Sequence, residues 1–341
     1  MLHFDCDYMR GAAPEILDRM LDTNLMQTPG YGNDGFTLNA KQLILNACGL
    51  DKGSVYFLVG GTQTNATVID GLLHRTQGVI AAEQAHINVH EAGAIEASGH
   101  KVLALPSSDG KLTAEQVEDY ISSFYADETW DHMVAPGMVY ISQPTEYGLL
   151  YSRKELGKLS MVCRNHDIPL YVDGARLGYA LGSPANDVSL QDLAYLADAF
   201  YIGGTKVGAM IGEAVVVSNP DLLPHFFTLI KQHGALLAKG RILGIQFETL
   251  FTDNLYTRLG AHGVEMAMLL RRGFEEKGFT PFIDSPTNQQ FFSLPNEVID
   301  RLLKVATFEY WGPRGKTESL VRFVTDWATT PEDIAALIEN L

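Results

Sequence analysis

The sequence predicts an α/β protein: a mostly parallel sheet flanked by helices, followed by a smaller C-terminal α+β domain. Two observations carry this. From about Ser54, short apolar runs alternate with longer amphipathic stretches. The runs are apolar throughout, as strands covered on both faces are, and the stretches between them suit crossover helices. After about Asn254 the texture changes to one long helical stretch and isolated strand candidates. The expected division is 1–253 for a large α/β domain with an N-terminal arm, and 254–341 for the small one.

The elements follow in order. Pro14 marks a helix start, since its missing N–H is no loss in a first turn. Val55-Tyr56-Phe57-Leu58-Val59 reads as a buried strand, and a helix opens at about Thr62 after paired glycines. Val79–Ala82 and Lys101–Leu105 are the next strands. Thr113 suits the N-cap of the helix after it. Met138–Ile141 and Pro169–Val172 flank a helix around Arg153–His166. Ala199–Ile202 and Ala214–Val217 complete the large sheet. A helix from Leu255 to about Lys277 leads to short strands near Phe291 and Val321.

Composition narrows the class of function. Apolar residues make up 46% and charged residues 19%, which supports a large core and argues against bulk disorder. Twenty-five Lys and Arg stand against 41 Asp and Glu, a net charge of −16. A phosphate-backbone binder needs the opposite balance, so nucleic acid is not an expected partner. No apolar run has the length of a membrane span, and the N-terminus lacks the basic start and apolar stretch of a signal peptide. Three scattered cysteines, Cys6, Cys48 and Cys163, build neither a disulfide framework nor a CxxC metal site. A cytoplasmic protein with reduced thiols is expected.

Three constellations carry chemistry. Val59-Gly60-Gly61-Thr62-Gln63-Thr64-Asn65 follows a strand and opens a helix. Backbone N–H groups there bind anions, phosphate above all; the stretch matches neither GxGxxG nor GxxxxGK[ST]. An ordinary strand-to-helix turn has the same sequence. Leu170-Tyr171-Val172-Asp173-Gly174-Ala175-Arg176 places a carboxylate at the end of a buried strand, where α/β proteins put ligands. A buried carboxylate needs a cation or strong donors; a protonated pyridine nitrogen would serve, and capping of the next helix is the alternative. Gly203-Gly204-Thr205-Lys206-Val207-Gly208 sets a lysine among glycines after an apolar strand. A lysine in low-dielectric surroundings sheds its proton easily and can bond a carbonyl carbon. Pyridoxal phosphate needs all three: donors for the phosphate, an acid partner for the ring nitrogen, and an amine for the aldehyde.

With these stretches in view, the sequence resembles the threonine aldolase family of fold-type I pyridoxal phosphate enzymes, and within it the low-specificity, phenylserine aldolase-like type. The resemblance covers nearly the whole chain. It rests on Tyr31-Gly32-Asn33-Asp34, Gly61-Thr62, His86-Ile87-Asn88-Val89-His90-Glu91-Ala92-Gly93, Asp173-Gly174-Ala175-Arg176-Leu177, Gly204-Thr205-Lys206 and Val321-Arg322-Phe323-Val324-Thr325. The DGARL stretch with the lysine is fairly specific; the glycine-threonine turn alone is not.

The resemblance implies roles. Lys206 holds pyridoxal 5'-phosphate covalently, Asp173 pairs with its ring nitrogen, and Gly61 and Thr62 cradle its phosphate. His86 stacks on the ring and acts as, or helps position, the base at the substrate hydroxyl. Arg176 and Arg322 bind the substrate carboxylate, a task that suits guanidinium forks. Lys239 reaches the phosphate of a neighbouring subunit, with Lys231 and Arg241 as alternatives. Tyr31 forms part of the site wall. The implied reaction is Cα–Cβ cleavage of L-threonine, L-allo-threonine or a related β-hydroxy-α-amino acid, in a homodimer or homotetramer with shared sites. Two positions depart from the family pattern. Cys6 stands where a serine helps hold the carboxylate, and Glu146 stands where a histidine follows an Asn-Thr pair. A carboxylate there can take the hydroxyl proton, directly or through water, or else mark a different side-chain preference. His86 and His90 lie one helical turn apart, but no third ligand is evident and no metal is expected. Other pyridoxal phosphate chemistries, β-elimination or amino transfer, share the scaffold, and a non-catalytic amino-acid-binding member is the remaining alternative.

Overall fold

The computed structural model describes residues 1–341. Its strands are β1 (Leu2–His3), β2 (Ser54–Leu58), β3 (Gln77–Ala82), β4 (Lys101–Leu105), β5 (Ala135–Ser142), β6 (Leu170–Asp173), β7 (Ala199–Gly203), β8 (Glu213–Val217), β9 (Gln289–Pro295), β10 (Ala306–Thr307), β11 (Glu309–Tyr310) and β12 (Glu318–Val324). Seven of them form one sheet in the order β2-β8-β7-β6-β5-β3-β4. From β7 to β4 every neighbouring pair is parallel. β8 runs antiparallel to both β7 and β2.

The all-apolar strands follow from burial on both faces. Val139, Ile141, Val172, Phe200 and Ile202 enter the core on one side of the sheet. Met138, Tyr140, Tyr171 and Tyr201, from the same strands, enter the core on the other. Side chains alternate along a strand, so two buried faces leave no position for a polar residue except at strand ends. The helix ends follow local chemistry. Thr113 accepts from the Gln116 N–H while the Gln116 side chain accepts from the Thr113 N–H, closing a capping box on Ala114–Ala126. Pro14 begins Pro14–Thr23. The long helix runs Leu255–Glu276.

The small antiparallel sheet has the order β11-β12-β9. Phe274, Phe292, Leu294, Leu302 and Phe323 form its core. The N-terminal arm, expected with the large domain, crosses to this core. β1 pairs in parallel with β10, Leu2 opposite Ala306, and Phe4 is buried among the small-sheet aromatics. The chain then returns to the large sheet, where the Ala13 N–H donates to the Gly208 carbonyl at 2.8 Å. An arm this short has no apolar periodicity of its own, so its docking site depends on tertiary contacts.

The functional end lies at the carboxyl ends of β5, β6 and β7. Ser142 and Asp173 are register partners. The Gly203 N–H donates to the Gly174 carbonyl at 2.9 Å. A Cβ at Gly174 would sit 1.8 Å from the Tyr201 carbonyl oxygen, and one at Gly203 would sit 2.3 Å from that of Ala175. Only glycine fits either position, and this close approach brings Asp173 and Lys206 to one cavity. No helix is long and apolar enough to cross a membrane.

Candidate active site

A cavity of about 310 Å³ opens at these strand ends, and Gly61, Thr62, His86, Glu146, Asp173, Arg176 and Lys206 all line it. Seven residues singled out in the sequence thus meet, from points spread over more than a hundred positions. Asp173 is buried at 4% exposure. Its Oδ2 accepts from Tyr140 Oη at 2.6 Å and Asn65 Nδ2 at 2.9 Å, and its Oδ1 from the Ala175 N–H at 2.9 Å. Burial alone pushes its carboxyl up, but donors from Tyr140, Tyr201, Ala175 and Asn65 hold it below the usual carboxylate range. An anion is thereby fixed in place, ready to pair with a cation.

Lys206 sits in the turn between β7 and β8. Burial, and then the Arg176 guanidinium, push its amine below the usual lysine range. A lysine so placed is readily neutral and nucleophilic. Facing it, Glu213 is buried at 4% exposure and accepts from the Gly204 N–H at 3.0 Å. Burial pushes its carboxyl up to about 8. The sign of the stability linkage follows: a carboxyl raised from 4.5 to about 8 on folding stabilises the fold fully below pH 4.5. That contribution is lost as pH rises toward 8. Glu213→Gln should therefore flatten the pH dependence, with the apoprotein gaining stability over the native chain at pH 8 and little at pH 4.5. Urea denaturation at the two pH values checks this; an equal effect at both would contradict it.

Gly60, Gly61 and Thr62 form the start of the helix Gly61–Leu72, and no side chain caps it. The first N–H groups of a helix have no partner within it, so they face the cavity as free donors. His86 is held from behind: its Nδ1 lies 2.7 Å from Glu91 Oε1. The same Glu91 oxygen accepts from Asn65 Nδ2 at 2.8 Å. His86, Glu91, Asn65 and Asp173 are thus one connected network. The His90 ring lies 5.7 Å from that of His86 and 6.4 Å from that of Trp311, and His90 does not line the cavity.

Glu146 projects from a turn after β5. The Gln143 side chain closes that turn, accepting from the Tyr151 N–H at 2.8 Å and donating to the Tyr151 carbonyl at 3.1 Å. Glu146 Oε1 accepts from the His86 N–H at 2.9 Å and Ser142 Oγ at 2.8 Å. Burial pushes its carboxyl above the usual range. The two positions named for the substrate hydroxyl, His86 and Glu146, are therefore adjacent.

Other named residues are already paired or fall elsewhere. Arg176 lines the cavity but is paired bidentately with buried Asp7, at 2.8 and 3.0 Å. Cys6, one residue earlier, faces a separate depression beside Met1 and Asp326. The backbone turns between them, so Asp7 and Tyr8 reach the site and Cys6 does not. Arg322 is buried on β12 and does not line the cavity; it is held by Glu309 and by Gln289 Oε1 at 2.8 Å. Tyr31 and Lys239 lie outside the cavity. The Tyr31 N–H donates to the Ala238 carbonyl at 3.0 Å, and Lys231 Nζ stands 4.5 Å above the Tyr31 ring.

Sequence reasoning missed Asp7, Asn65, Tyr140 and Glu213. Asn65 and Glu91 stood inside quoted motifs without a role. Glu213 carried a signal: a carboxylate heading an apolar run, Glu213-Ala214-Val215-Val216-Val217.

The residues present fit pyridoxal phosphate. A helix start with free donors, a buried carboxylate kept ionised and an amine kept below its usual range are the three partners that the phosphate, ring nitrogen and aldehyde require.

Comparison with known proteins gives the same direction. The model of the beta-eliminating lyase family matches residues 4–294. A low-specificity L-threonine aldolase of Pseudomonas aeruginosa is 30% identical over 352 aligned positions, covering 99% of this chain and 96% of that protein. Another from a Pseudomonas species is 32% identical, covering 78% and 76%. The structure of a Leishmania major threonine aldolase superposes with a TM-score of 0.96 at 42% identity, covering 99% and 98% of the two chains. A Thermus thermophilus aspartate aminotransferase double mutant superposes at 0.73 with 14% identity, covering 100% and 90%, and shares the fold alone. The fold is therefore that of fold-type I pyridoxal phosphate enzymes, and the chain belongs to the beta-eliminating lyase family, in its threonine aldolase branch.

Proposed function

We propose that this enzyme cleaves the Cα–Cβ bond of L-threonine, L-allo-threonine or a related β-hydroxy-α-amino acid, giving glycine and an aldehyde, with pyridoxal phosphate as cofactor. The observation that carries the reading is Glu146 beside His86 in the cavity that Lys206 and Asp173 share. An aldol cleavage needs a proton acceptor at the β-hydroxyl, and amino transfer needs none there.

Lys206 carries the cofactor, Asp173 anchors the ring nitrogen, and Gly61 and Thr62 hold the phosphate. Bound pyridoxal phosphate supplies an electron sink for the pair released at Cα. Arg176 and Arg322 receive the substrate carboxylate and fix which bond to Cα is set for cleavage. His86, oriented by Glu91, confines the ring side of the substrate. Glu146 accepts the β-hydroxyl proton. As that O–H bond breaks, Cβ–O becomes a carbonyl and Cα–Cβ opens. A proton returned to Cα completes glycine.

Glu146 acts as a base only when ionised, so activity rises with pH through its elevated value. Glu146→Gln should lower kcat about a hundredfold and erase the acid limb of the kcat/KM profile. An unchanged acid limb in that variant would move the base to His86.

Tyr31 and Lys239 serve a neighbouring subunit's site, and the assembly is a homodimer or homotetramer. Support comes from their position outside the cavity of their own chain and from exposed Leu21, Leu25 and Met26 nearby. Light scattering should give at least twice the 37.5 kDa chain mass; a monomer would contradict the shared-site reading. Three unpaired thiols suit a cytoplasmic setting.

A further inference from the structure

Arg322 already holds a carboxylate of its own chain. Its guanidinium is gripped by Glu309, its register partner across β11 and β12. Gln289 Oε1 accepts from its Nη1 at 2.8 Å, and the Trp311 ring lies 4.7 Å from its central carbon. Its Nε is buried with no partner at all. The two members of the ion pair are unlike. The Arg322 side chain is 9% exposed and the Glu309 side chain 49%. Arg322 is therefore fixed by packing, while Glu309 reaches in from solvent.

We propose that Glu309 is an internal competitor for the substrate carboxylate at Arg322, and so sets the enzyme's affinity for amino acids. This rests on the reading of Arg322 as a carboxylate-binding residue. A bound α-carboxylate and the Glu309 carboxylate cannot both sit on one guanidinium face without mutual repulsion. Glu309 swings into water on binding, which needs no repacking because half of it is already wet. Arg322 then presents Nη2 and the unpartnered Nε to the incoming carboxylate, the paired donors that suit a bidentate acceptor. The arrangement has a use while the site awaits substrate. It keeps a buried guanidinium paired, since a lone buried charge is strongly destabilising.

The experiment is glycine binding to the cofactor-loaded enzyme, measured by calorimetry for four proteins. Glu309→Gln keeps the size and removes the charge, and should lower the Kd for glycine about fivefold. Arg322→Gln should raise it. The double variant should match Arg322→Gln alone, because Glu309 acts only through Arg322. Glu309→Asp, which retains the charge, should stay near the native value. A Kd unchanged or raised in Glu309→Gln, with Arg322→Gln still weakened, would overturn the proposal and leave Arg322 as a carboxylate binder. No weakening in Arg322→Gln would overturn the underlying reading itself. A purely structural role for Glu309 predicts weaker binding, never tighter.

Discussion

Lys206→Ala should hold no cofactor through a covalent bond and should lose cleavage activity by on the order of ten-thousandfold. Lys206 is the lysine that lines the cavity, and burial beside Arg176 holds its amine below the usual lysine range. No other residue lining that cavity carries an amine. The variant should fold, since alanine fits wherever a partly buried lysine stem did and no ion pair is lost within 4 Å. Borohydride treatment followed by peptide mass spectrometry reads the covalent bond directly. A cofactor-labelled peptide in Lys206→Ala would remove the core of the account.

Asp173→Asn should reduce kcat by about a thousandfold while leaving the cofactor bound. The change is nearly isosteric but removes the charge that, in the proposed reading, would pair with the ring nitrogen. Tyr140, Asn65 and the Ala175 N–H all donate to this carboxylate. Asparagine can accept at only one oxygen, so one donor set is left facing an amide N–H, a cost in stability as well as rate. A spectrum of the bound cofactor separates the two effects. Full cofactor content with lost activity supports the electronic role. Native activity in this variant would assign Asp173 to structure alone.

The large sheet was readable because its strands are apolar on both faces. Val139 and Tyr140 point to opposite cores, so no polar residue interrupts the run. The antiparallel direction of β8 was not readable, since Ala214–Val217 looks the same in either direction. The crossing of Leu2–Phe4 into the small core was hidden for another reason: two residues of strand pairing carry no period.

The site divides along similar lines. Asp173 and Lys206 stand at strand ends flanked by glycines that only close backbone approach explains. Such positions advertise themselves. Asp7 does not, because a buried aspartate and an exposed one share one letter. The occupation of Arg176 by Asp7 and of Arg322 by Glu309 depends on contacts across 169 and 13 residues. Charge in a sequence names a candidate, and only packing says what it is paired with. Tyr31 and Lys239 lie outside the cavity of their own chain.

The most direct test of the account is a product balance. Cofactor-loaded enzyme is supplied with L-threonine and, separately, L-allo-threonine, and acetaldehyde, glycine and ammonia are measured together. The account predicts acetaldehyde and glycine in equal amounts from at least one substrate, with no ammonia. Ammonia with a keto acid, and no glycine, would show β-elimination and would contradict cleavage between Cα and Cβ.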